Sequence, residues 1–190
     1  MKTNKIISTP YEGKFTKVEI HEIESETWEK FPWEVVKRTN NNPVVSALVE
    51  NITNNTFVLV EQYRPPVWKR VVELVAWVCD KAEYSKEDII RAEILEETGY
   101  TAEQIQLIME NSPKSPGIIS ELGNTYYAKV IWERANQDLQ DNEEIKVLEF
   151  EKQDLNRFLA SKQKEWILVS SWIYSVIWNM LARGINILEK

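Results

Sequence analysis

The stretch Ser85-Lys-Glu-Asp-Ile-Ile-Arg-Ala-Glu-Ile-Leu-Glu-Glu-Thr-Gly-Tyr100 decides how this chain is read. Ser85 followed three residues later by Asp88 predicts an N-cap in a capping-box arrangement. Gly99 predicts the left-handed stop at the other end. Between them, Glu93, Glu96 and Glu97 stand at i, i+3 and i+4, within an arc of about 100° on the helical wheel. With Ile89 at zero, Glu93 falls near 40°, Glu97 near 80°, Ile90 near 100° and Ile94 near 140°. Two glutamates thus share the apolar stripe that should face the protein body. No Lys or Arg stands at i+4 from any of the three to pair with it along the helix. The wheel leaves two readings: a solvated acidic face, or oxygen ligands for a hard cation. Buried carboxylates are neutralised or bind a cation, and an all-oxygen cluster suits Mg²⁺ or Mn²⁺.

Working outward, short apolar runs separated by turn residues predict strands. Phe15 to Ile23 and Trp33 to Arg38 alternate. Val44 to Val49 and Phe57 to Tyr63, joined by the Asn51–Asn55 turn, read as a hairpin. Pro65-Pro66 breaks the chain, and Val71 to Trp77 resumes as one buried strand. Ile105 to Met109, Thr125 to Trp132 and Ile145 to Phe150 add strands. Helices are expected over Lys152 to Lys162 and from about Val169 to Arg183. Mixed strands with a few helices predict a sheet covered on both faces. A boundary near Asn41 separates a small N-terminal strand region, 1–41, from a main domain, 42–190.

Composition narrows the function. The 190 residues are 43% hydrophobic and 28% charged, enough for a sizeable core. A net charge of −7 argues against a general nucleic-acid binder. No apolar stretch reaches the ~20 residues of a membrane helix, and the N-terminus lacks a signal-peptide pattern. Cys79 is the sole cysteine, so no intrachain disulfide forms, and a reducing, cytoplasmic setting is expected. His21, the sole histidine, excludes a His-rich metal site and reads best as a charge partner on a strand.

The segment Glu73 to Tyr100 resembles the Nudix hydrolase box, and Glu93-Ile-Leu-Glu-Glu-Thr-Gly-Tyr100 matches its second half. Glu61-Gln-Tyr-Arg-Pro-Pro66, Glu73-Leu-Val-Ala76, Ser115-Pro-Gly117 and Asp141-Asn-Glu-Glu-Ile-Lys-Val147 extend the resemblance to the ADP-ribose pyrophosphatase branch. It spans about Trp33 to Leu181. The resemblance implies a Nudix-type α/β/α sandwich with a mixed sheet. It implies Mg²⁺-dependent hydrolysis of ADP-ribose or a related nucleoside diphosphate sugar to a nucleoside monophosphate and a sugar phosphate, AMP and ribose 5-phosphate for ADP-ribose itself. Alternatives are a UDP- or GDP-sugar diphosphatase, or a catalytically weakened nucleotide-binding protein. Glu93 and Glu97 match the family's metal ligands, completed by Glu96 and the Ala76 carbonyl, and Glu143 matches its general base, with Glu144 as the neighbouring choice. Arg64 and Arg38 match substrate arginines. Trp33, next to Glu34, matches an aromatic that stacks on adenine, and Pro116 and Gly117 match a substrate loop. A homodimer with exchanged N-terminal strands is also implied.

The box departs from its pattern. The family arginine before Glu93 falls on Ala92, because Arg91 lies ~100° away around the helix. The upstream glutamate falls on Tyr84, and the box glycine is replaced by Trp77. Trp28, Trp68, Trp166 and Trp172 also stand where the resemblance suggests glycine. The chain has only 5 Gly beside 8 Trp, against about 13 glycines at ordinary usage. Exchanging those five residues restores an ordinary balance, the composition expected if UGA codons read as glycine in the cell were translated as tryptophan.

Overall fold

The computed structural model describes residues 4–80, 83–132, 134–140 and 143–188. The chain divides into two compact units, one formed by residues up to Val44 with Asn111–Gly123, the other by Val45–Glu110 with Asn124 onward.

In the first unit, β1 (Asn4–Glu12), β2 (Thr16–Glu24) and β3 (Lys30–Arg38) form an antiparallel sheet in that order. Opposite β2, β3 sets Val36 beside Val18 and Trp33 beside His21. The expected strands at Phe15 and Trp33 are β2 and β3. β1 was not expected, because its side chains lie exposed and show no apolar alternation. His21 Nε2 meets Glu19 at 2.8 Å, as expected of a charge partner on a strand.

The second unit holds most of an eight-stranded sheet ordered β11-β6-β5-β4-β9-β8, with β10 against β5 and β7 against β4. These strands are β4 (Val44–Asn51), β5 (Thr56–Arg64), β6 (Lys69–Glu73), β7 (Val75–Val78), β8 (Ala102–Pro113), β9 (Leu122–Val130), β10 (Lys146–Glu151) and β11 (Leu168–Val169). Its helices are α1 (Lys86–Thr98), α2 (Leu155–Lys164) and α3 (Ser171–Ala182). Period-two alternation sorts the core. Val45, Ala47 and Val49 of β4, with Val58 and Val60 of β5, pack with Ile89, Ile90 and Ile94 of α1. The intervening Leu48, Phe57 and Leu59 pack with Leu159 of α2 and Ile173, Val176 and Met180 of α3. Helices on both faces explain why every residue of β4 is buried. This is the expected α/β/α sandwich with a mixed sheet: β11 pairs parallel with β6, and β5 antiparallel with β6 and β10.

Two expectations need correction. Val71 to Trp77 is two strands, broken at Leu74, because the chain leaves the side of β5 and continues beside β4. The strand expected at Ile105 to Met109 runs over Ala102–Pro113; its polar residues hid its length. Among the described residues, no helix is long and apolar enough to cross a membrane.

Candidate functional site

α1 is fixed at both ends. The Ser85 hydroxyl accepts from the Asp88 N–H at 3.1 Å, and the Asp88 carboxylate accepts from the Ser85 N–H at 3.3 Å. Gly99 closes the helix at φ 76°, its N–H donating to Leu95 O at 2.8 Å. A Cβ on Gly99 would lie 2.1 Å from Ala135 O, so only glycine fits. The loop after β9 is tied to this end. Ala135 N–H donates to Gly99 O at 2.8 Å, Asp138 N–H to Glu96 O at 3.0 Å, and the Gln137 amide to Glu97 O at 2.6 Å.

Held this way, α1 turns Glu93 and Glu97 inward; they are 7% and 3% exposed, while Glu96 is half-buried. Glu97 Oε2 is buried and has no hydrogen-bond partner. Burial, then the neighbouring charges of Glu93, Glu143 and Glu73, push the Glu97 carboxyl up to about 9, opposed by Arg64. Those causes define the neighbourhood: helix α1, the end of β5, the end of β6 and the loop before β10. Arg64 Nε bonds Glu73 Oε2 at 2.6 Å. Glu143 is folded onto its own loop, its Oε2 accepting from Gln140 N–H at 3.1 Å. Asp141 and Asn142 of the quoted acidic motif lie outside the described residues.

Glu144 is 88% exposed and meets Arg70 Nη1 at 3.2 Å. Arg70 in turn bonds the buried Glu61 at 2.7 Å, which also meets Lys162 of α2 at 3.3 Å. This chain of pairs ties the Glu144 loop to β5, β6 and α2.

A cavity of about 460 Å³ is lined by Trp77, Asp80, Tyr84, Asp88, Ile89, Ala92, Glu93 and Glu96. Ala76 sits half-buried in β7, the strand packed against α1. Arg91 does not take over the place of the missing arginine: its Nη1 bonds Ala102 O at 2.6 Å. Trp77, half-buried, packs on the core beneath α1.

Trp33, Glu34, Arg38, Pro116 and Gly117 belong to the first unit. Trp33 is 47% exposed and stands edge-on to Phe31. Glu34 is exposed on β3. Arg38 Nε bonds Glu121 at 2.6 Å. Pro116 and Gly117 lie in an exposed turn closed by Ile118 N–H and Ser115 O at 3.1 Å.

In the sequence Glu73 stands out only as part of the motif Glu73-Leu-Val-Ala76. Its place opposite Val60 and against Arg64 comes from strand order, which no local pattern encodes. The donor types around Glu97 suit a hard cation chemically, since one of its carboxyl oxygens is buried without a partner and the charges of Glu93, Glu143 and Glu73 act on it. Among the described residues, no three His, Cys, Asp or Glu side chains converge tightly enough to hold an ion as they stand.

No family model matches the chain. It is 28% identical over 164 residues to a methanol dehydrogenase activator of Bacillus methanolicus, spanning 86% of this chain and 83% of that protein. It is 26% identical over 156 residues to an ADP-ribose pyrophosphatase of Bacillus subtilis (strain 168), spanning 80% of each. A crystal structure of an ADP compounds hydrolase superposes with a TM-score of 0.64 over 83% of this chain and 84% of that one, at 15% identity. These likenesses establish the α/β/α fold of the Nudix type.

Proposed function

We propose that this protein is a Nudix-type hydrolase that cleaves the pyrophosphate bond of ADP-ribose or a related nucleoside diphosphate sugar. The observation that carries the reading is Glu97: a buried carboxyl with an orphan oxygen, under the like charges of Glu93, Glu143 and Glu73. Without a cation the carboxyl stays buried there only by keeping its proton. The similarity to an ADP-ribose pyrophosphatase over 80% of both chains supports the substrate class.

In this reading Glu93 and Glu97, with Glu96 and the Ala76 carbonyl, hold Mg²⁺, with Mn²⁺ as a substitute. The bound cation supplies charge neutralisation for the diphosphate and lowers the pKa of water. The rest is done by the chain's own groups. Glu143 accepts the proton of the attacking water and must come within hydrogen-bond reach of it. Arg64 donates to a phosphate oxygen, exchanging its pairing with Glu73 for a charge-assisted bond to substrate. The reading keeps Trp33, Glu34, Arg38, Pro116 and Gly117 of the first unit as substrate contacts, Trp33 by stacking on the base.

A product assay tests this. AMP and ribose 5-phosphate should form from ADP-ribose with Mg²⁺ and vanish with chelator. Faster turnover of UDP-glucose or a GDP-sugar would move the assignment to those substrates. A second reading, nucleotide binding with little turnover, draws on Ala92 and Trp77 at the cavity wall. Tight ADP-ribose binding without product would favour it. The reading includes a cytoplasmic homodimer, supported by exposed Ile6, Ile7, Tyr11 and Phe15 on the first unit. Sedimentation of the intact chain checks the assembly.

A further inference from the structure

Among the described residues, seven other than glycine adopt a left-handed backbone, and four of them are tryptophans: Trp28 (φ 65°), Trp68 (φ 53°), Trp132 (φ 62°) and Trp166 (φ 63°). The remaining three, Asn41, Asn55 and Asn111, belong to the residue type that tolerates this region. Bulky side chains do not, because Cβ crowds the following carbonyl. Nor are the indoles held there by burial, being 69%, 79%, 69% and 80% exposed in chain order. Lys69 Nζ lies 5.4 Å from the Trp166 ring centre, a surface contact of small value.

The local hydrogen bonds say which residue these places are built for. After α3, Gly184 (φ 76°) donates to Leu181 O and Ile185 to Met180 O, the paired bonds of a Schellman stop. After α2, Trp166 donates to Gln163 O and Ile167 to Lys162 O, at 3.1 Å each. The two helix ends are the same motif, one with glycine at the left-handed position and one with tryptophan. Trp68 caps the 3-10 turn Pro65–Val67 in the left-handed conformation. Trp28 follows a turn closed by its N–H to Ser25 O, in the β2–β3 hairpin loop, where a left-handed residue is ordinarily glycine.

We propose that positions 28, 68, 132 and 166 are glycine in the protein its own cell makes, the four codons being UGA read there as glycine. The backbone thereby selects Trp28, Trp68 and Trp166 from the five residues singled out by sequence and adds Trp132. Trp77 and Trp172 hold ordinary strand and helix backbone, so this criterion does not reach them.

Two measurements test the proposal. Peptide mass spectrometry of the protein from its source cells should find glycine at all four positions, and the gene should carry UGA there. Tryptophan in those peptides, or UGG codons, overturns it. In recombinant protein, the fourfold Trp→Gly variant should melt above the parent, with a gain of roughly fivefold in the folding equilibrium at each site after the added chain entropy is subtracted. Trp178→Gly, exposed in the interior of α3, should melt lower. A fourfold variant no more stable than the parent, with Trp178→Gly behaving alike, also overturns it.

Discussion

Glu97 concentrates the chemistry of the second unit in one side chain. Its carboxyl is held protonated near neutrality by burial and three like charges, with an oxygen that bonds nothing. A cation beside it would reverse that balance by favouring the ionised form. Glu97→Gln keeps the size and removes the charge, so the fold should survive. Turnover of ADP-ribose should fall by a factor on the order of 10² or more, since even groups one step removed from a metal matter 10–100-fold. Mg²⁺ should raise the melting temperature of the parent and not of the variant, because only a ligand bound to the native state shifts unfolding. Equal Mg²⁺ shifts in both would place the cation elsewhere. Glu93 and Glu97 were legible as inward-facing because helical periodicity alone assigns them to the apolar stripe. Glu73 was not legible as their neighbour, because it stands on another element, and only the pairing of β6 with β5 brings it close.

At the scale of elements, α1 owes its register to its two ends. Ser85→Ala removes one cap and should cost about 1 kcal/mol, read from denaturant midpoints. Gly99→Ala should cost more, about 1–3 kcal/mol, since it combines a left-handed backbone with a Cβ placed 2.1 Å from Ala135 O. It should also lower turnover beyond what stability explains, because Ala135 belongs to the loop bonded to the backbone of Glu96 and Glu97. Restoring full activity under conditions that fully fold the Gly99→Ala protein would separate the loop from catalysis. Elements carrying local signals were readable: the capped α1, the β4–β5 hairpin and α3, whose expected span from about Val169 to Arg183 holds Ser171–Ala182. β1 and the two-residue β11 were not. The first is an exposed edge strand without alternation, and the second exists only because Leu168 and Val169 pair with Val71 and Val72.

For the whole molecule, the sequence announced a layered sandwich but not the order of its strands or the membership of the two units. Asn111–Gly123 joins the N-terminal residues across a separation no local pattern encodes. Acid acts on the first unit through one buried carboxylate. Glu19 is 2% exposed and receives Lys17 at 2.9 Å, His21 at 2.8 Å and Lys37 at 3.4 Å. The Lys17 bond above all, with His21 and Lys37, holds the Glu19 carboxyl at about 2, against 4.5 in the open chain. A depressed native pKa means the unfolded state binds the extra proton first. The stabilisation is therefore complete above pH 4.5 and drains away as pH falls from 4.5 towards 2. Protection factors of the β1–β3 amides in the intact protein, measured against the intrinsic exchange rate at each pH, should fall through that window. Glu19→Gln should flatten the acid response, because an amide has no proton to gain, while exchanging faster than the parent at neutral pH. If the variant's β1–β3 amides kept the parent's acid profile, the contacts of Lys17, His21 and Lys37 with Glu19 would not be what holds that sheet together.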